Sequence, residues 1–147
     1  MKRLLSILLL VATLWIPAQA QQKTNSPCKI SPPSSLPYTT GELQDIFRTY
    51  NREYWDGKLP ATVVVWTALP GKKIAETDVL PDGRFIIRLD STRNSVEVIA
   101  KQSILHEMAH IKTWGDQCHV DGKPNQCDRW LAEIHRIMLE GALDDII

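Results

Sequence analysis

The chain has 147 residues, with 17 Lys and Arg against 17 Asp and Glu, so its formal net charge is 0 with histidine neutral. Nucleic-acid binding rests on many Lys/Arg–phosphate contacts, and a balanced chain lacks that electrostatic footprint. The length allows one domain with one core, for which five Trp are a generous supply.

Residues 1–20 read as a signal peptide. Lys2 and Arg3 form a positive start, Leu4 to Ile16 an apolar run, and Ala18-Gln19-Ala20 a small-x-small cleavage pattern that leaves Gln21 as the new N-terminus. The apolar run is shorter than the roughly 20 residues a spanning helix needs, so no membrane span is expected after cleavage. Losing Lys2 and Arg3, with no acidic residue in the removed segment, takes the formal charge to −2. The mature protein is expected in the periplasm or the extracellular space. Residues 21–38 follow as a flexible tether, because Gln21 to Pro37 is rich in Pro and Ser and carries little that could pack.

The domain is expected over residues 39–147. A helix is predicted after Thr39, since Thr39 and Glu42 have capping-box spacing; Leu43, Ile46, Phe47, Tyr50 and Tyr54 recur at helical intervals and Gly57 is a fitting stop. "TVVVW" (62–66) is a compact β-branched run and reads as a buried strand. "KIAETDVL" (73–80) and "RFIIRLD" (84–90) flank Pro81-Asp82-Gly83, which predicts a hairpin. A second helix is predicted from near Asn94, with Glu97 as its capping partner, to Trp114 and a stop at Gly115. A third should cover Asp128 to Glu140, with Leu131, Ile134 and Met138 on one face. Helix, three short strands, helix, helix implies an α+β domain with a small, mainly antiparallel sheet packed on helices.

The chemistry concentrates in "SILHEMAHIKTWG" (103–115). At about 100° per residue, His106 and His110 lie only about 40° apart on the second helix, one turn above the other, so both imidazoles can converge on one metal ion. Glu107 is offset by about a further 60°, close enough to act on a zinc-bound water without ligating the metal. Zinc brings the pKa of such a water toward about 7, and a carboxylate that takes its proton completes the chemistry for hydrolysing a peptide bond. A catalytic zinc needs a third protein ligand and an open position. His119, just past Gly115, is the first candidate; Glu133 and then His135, on the third helix, are the others.

Three cysteines in an exported chain permit one disulfide. Cys118 and Cys127, close in sequence with turn-forming residues between them, are the expected pair, and Cys28 stands alone in the tether.

"YNREYWDGKLPATVVVW", "AETDVLPDGRFIIRLD" and "ILHEMAHI", in that order, resemble the SprT-like metallopeptidase domain, the Spartan-type group, from about Leu43 to Met138. The resemblance implies a minimal zincin: an N-terminal helix, a three-stranded sheet, the metal-binding helix and a closing helix. It also implies one Zn²⁺ held by His106, His110 and a later histidine, with Glu107 as the catalytic carboxylate. Val120 follows His119 where that family has Gly, and Trp130 comes several residues late, which places an insertion inside the proposed disulfide loop. The DNA-linked roles of Spartan-type relatives do not carry over to an exported chain without basic charge. In relatives of this architecture a strand beside the metal helix holds an extended polypeptide substrate by strand addition, and the 84–90 strand or its hairpin partner is the candidate.

Two other readings fit the same residues. One is a closed structural zinc module in which His106, His110, Cys118 and Cys127 are the ligands and Glu107 is idle. The other is an inactive zincin used as a binding module.

Overall fold

The computed structural model describes residues 36–115 and 127–144. The expected leader (1–20), residues 21–35 of the expected tether with Cys28, and also Cys118 and His119 lie outside the described residues. The elements run α1 (Thr40–Trp55), β1 (Thr62–Thr67), β2 (Ala75–Val79), β3 (Phe85–Asp90), α2 (Glu97–Lys112) and α3 (Asp128–Leu139), an α+β arrangement.

The first helix follows its sequence signals. The Thr39 side chain accepts from the Glu42 N–H while Glu42 accepts from the Thr39 N–H, so both halves of the capping box form. Asp56, in the left-handed region at φ 53°, ends the helix, and Gly57 at φ 70° carries the chain out of it. Leu43, Phe47, Tyr50 and Trp55 are buried beneath it. Tyr38, the residue before the cap, packs against the core, and its carbonyl accepts from the Trp66 indole at 2.9 Å.

The sheet departs from the expected mainly antiparallel form. Its order is β1-β3-β2, with β1 parallel and β2 antiparallel to β3, so it is mixed. The hairpin at Pro81-Asp82-Gly83 does form, but β1 pairs with the second hairpin strand rather than the first. Side-chain character explains the choice. "FIIRLD" buries Phe85, Ile87, Leu89 and Asp90, whereas "AETDV" has no fully buried residue and suits an edge. The other edge is covered by α1: the Gln44 side chain donates to the Thr62 carbonyl at 3.0 Å and accepts from the Val64 N–H at 3.2 Å.

Registered pairs Val64↔Ile87 and Thr77↔Ile87 place alternate residues of the three strands on one face, and that face meets the helices. Leu43, Val64, Ile87, Leu89, Ile104, Met108 and Ile137 form the centre of a single core.

The remaining two helices differ from expectation in detail. α2 begins at Glu97, with Val96 at the N-cap and no side-chain cap. Asn94 is instead fully buried: its amide donates to the carbonyls of Ile74 (2.7 Å) and Asp90 (2.9 Å) and accepts from Ser103 Oγ (2.6 Å). α3 turns a different face inward, burying Trp130 and Ile137 and leaving Leu131 and Met138 exposed, because the core lies on the side that Trp130 occupies. Among the described residues no helix is long and apolar enough to cross a membrane.

Candidate metal and catalytic site

α2 carries the site through the middle of the core. Ser103 to Ile111 are buried apart from the half-buried His106, and the exposed polar residues of the helix, Glu97, Gln102 and Lys112, lie outside that stretch. Two histidines and a glutamate are thus held where water is scarce, which a surface helix would not require of them.

The imidazoles sit as the i, i+4 spacing predicts. His106 Nε2 and His110 Nε2 are 3.2 Å apart, with ring centroids separated by 5.0 Å. Two nitrogens bound tetrahedrally to zinc at about 2.0–2.1 Å stand about 3.3 Å from each other, so the observed spacing fits two ligand positions. Burial lowers the pKa of His106, favouring the neutral ring whose lone pair a metal needs.

Trp130, at the start of α3, lies against both rings, at 4.7 Å from His106 and stacked at 5.3 Å on His110. Periodicity places it on the opening turn of α3 but does not reveal this contact. It fixes the imidazole planes and excludes solvent from one side.

Glu107 is 6 % exposed, and its Oε2 accepts from Thr77 Oγ1 at 2.7 Å. Burial pushes the carboxyl up to about 7, against the opposing pull of the Thr77 hydroxyl; Glu76 and Asp78 add to the rise. Such a group exchanges protons near neutral pH, as a general base must. Thr77 is a site residue that the sequence reading did not single out. Its strand position, alternating with Glu76 and Asp78, is the one signal that puts it on the helix-facing side. His106 and Glu107 also line one cavity, bounded by Lys72, Ile74, Ala75 and Ile99. Neither a protein-family model nor a curated protein matches the chain.

The expected third ligands fare differently. Glu133 is engaged elsewhere: Oε1 accepts from the Trp55 indole at 2.6 Å and from Arg136 at 2.7 Å. Although burial raises its pKa, the Arg136 and Trp55 hydrogen bonds outweigh that and hold the carboxyl below the usual range. His135 is exposed on α3. His119 lies outside the described residues, and among those described no three His, Cys, Asp or Glu side chains converge as a metal site. Cys127, at the N-cap of α3, is disulfide-bonded, and both of its possible partners lie outside the described residues.

Proposed function

We propose that the chain is an exported zinc metallopeptidase of SprT-like type, a minimal zincin, which hydrolyses peptide bonds with Glu107 as general base. The observation that carries this reading is the pair of imidazole nitrogens 3.2 Å apart beside a buried carboxylate on the next residue. His106 and His110 would hold one Zn²⁺, and His119 is the proposed third ligand, since Glu133 is committed to Trp55 and Arg136 and His135 faces solvent. Zinc, when bound, supplies a Lewis acid that polarises a carbonyl and acidifies water.

The chain's own residues do the rest. Glu107 accepts the proton of the attacking water and returns it to the amine nitrogen as the C–N bond breaks, leaving a new carboxylate and a free amine. Thr77 donates to the Glu107 carboxylate and holds it toward the cavity that Glu107 shares with His106. The sheet order supports β2 as the strand that holds substrate. β3 is paired on both sides and the outer edge of β1 is covered by Gln44, while β2, among the described residues, has a strand partner on one side only. An extended peptide added there would lie next to Glu107.

The closed structural module needs Cys127 as a thiolate, and a disulfide sulfur is not one, so the bonded state of Cys127 counts against it. An inactive zincin is separated by experiment. Protein purified from zinc-replete cells is expected to carry one zinc in both wild type and Glu107→Gln, with peptide-library cleavage at least about 100-fold slower in the variant. Equal cleavage would remove Glu107 from the mechanism, and metal-free protein in both would remove the site. The third ligand is tested by metal content: His119→Ala should lose zinc, while Glu133→Ala and His135→Ala retain it.

A further inference from the structure

We infer that the cavity of about 420 Å³ beside His106 and Glu107 is a subsite for one bulky apolar side chain of the peptide substrate. The inference rests on the metallopeptidase reading and adds to it the class of peptide selected. Ile74 and Ala75 form the strand-side wall, Ile99, Gln102 and Ser103 the helix-side wall, and His106 and Glu107 close one end.

This cavity is built in advance of any ligand. The Arg93 guanidinium donates to the carbonyls of Gly71 and Lys73, and the Asn94 amide donates to that of Ile74, so the segment forming the strand-side wall is tied at three successive points. The same Asn94 side chain accepts from Ser103 Oγ on α2 at 2.6 Å. One fully buried amide therefore pins both walls, and a preformed site loses less ordering entropy on binding.

Size and chemistry name the occupant. A cavity of about 150 Å³ already accepts benzene, so this one has room for a Leu, Met or Phe side chain. Its aliphatic wall includes Ile74, 48 % exposed, whose apolar surface a substrate side chain would cover. An acidic side chain could reach Lys72 but would share the cavity with Glu107, and like charges disfavour it. Position follows from the strand: Thr77 bonds to Glu107 and Ala75, two residues back, lines the cavity, a separation of about 7 Å along the chain. A peptide lying along β2 would put the selected side chain within two residues of the bond cut.

Two arms test this. In the first, zinc-loaded wild type digests a peptide library; cuts should fall at one fixed distance from Leu, Met or Phe, at least about 10-fold above Gly or Asp there. Ile74→Asp, at a half-exposed position, should abolish that preference, and an unchanged preference in this variant overturns the subsite. In the second, metal-loaded Glu107→Gln protein is titrated with blocked Gly/Ser pentapeptides bearing a central Leu, Gly or Asp, and binding is mapped by NMR. The Leu peptide should bind at least about 10-fold tighter and shift the signals of Ile74, Ala75 and Ile99. Cleavage without apolar preference overturns the subsite and leaves the peptidase standing. If nothing is cleaved, the peptidase reading falls and the titration decides: tighter Leu binding at those residues supports the subsite, and equal binding of the three peptides overturns it.

Discussion

Thr77 reaches Glu107 from the edge strand, so the carboxylate of one element is aimed by the hydroxyl of another, 30 residues earlier in the chain. A carboxyl that must meet a water and then an amine loses rate steeply when its position drifts, by about 100-fold for a misplacement of about 1 Å. Thr77→Val keeps the β-branched shape and removes only the donor. On the proposed peptidase mechanism it should lower kcat about 10- to 100-fold with little change in KM or zinc content, and Thr77→Ser should recover most of the rate. An unchanged kcat in Thr77→Val would make the hydroxyl a packing group. The His-Glu-x-x-His spacing was legible in the sequence because it is local, resting only on helical geometry. The Thr77 and Trp130 contacts were not, since each joins residues whose meeting depends on how strands and helices dock. Alternation with Glu76 and Asp78 in "AETDV" gives the face of Thr77 but not the carboxylate that it meets 30 residues on.

Among elements, two residue pairs of equal spacing had opposite fates. Thr39 and Glu42 form a capping box, whereas Asn94 and Glu97 do not, although both pairs read as caps. The difference is tertiary: Asn94 is buried, where its amide joins the approach to β2, the end of β3 and Ser103 of α2. Exposed Thr39 has no such competing partners. Asn94→Ala should cost about 2 kcal/mol, chiefly by leaving the Ser103 hydroxyl without its acceptor, because the Ile74 and Asp90 carbonyls keep backbone donors at 2.8 and 3.0 Å. For a domain of this size that is a fall of about 10 °C in Tm, measurable by thermal unfolding. Helix and strand positions were readable from periodicity to within a few residues, but the buried face of α3 was not. Leu131, Ile134 and Met138 make as good a stripe as Trp130, Ile134 and Ile137, and the choice depends on the core that α3 meets.

For the whole molecule, strand order was the least legible property: the hairpin is local, but whether β1 joins β2 or β3 is decided by which strand can bear burial on both sides. Once β3 is central, its last residue becomes a junction. Asp90 accepts from the N–H groups of Leu69 (2.9 Å), Thr92 (3.1 Å) and Arg93 (2.9 Å), joining the exit of β1 to the approach to α2. Burial works to raise its pKa, yet those N–H groups and the Arg93 guanidinium hold it below the ordinary value. A carboxyl depressed in the folded state binds its proton more readily when unfolded. Its stabilisation is therefore complete above the unfolded Asp value of about 3.9 and is lost as pH falls through the lower folded value. Glu133, depressed by Arg136 and Trp55, acts in the same direction. Urea unfolding of the wild type should show a steady loss of stability below about pH 4. Asp90→Asn removes one titrating junction, so its stability should be lower at pH 7 by about 2 kcal/mol and should fall less steeply in acid. Parallel acid limbs for the two proteins would mean that Asp90 titrates with its unfolded value and that the junction draws nothing from its charge.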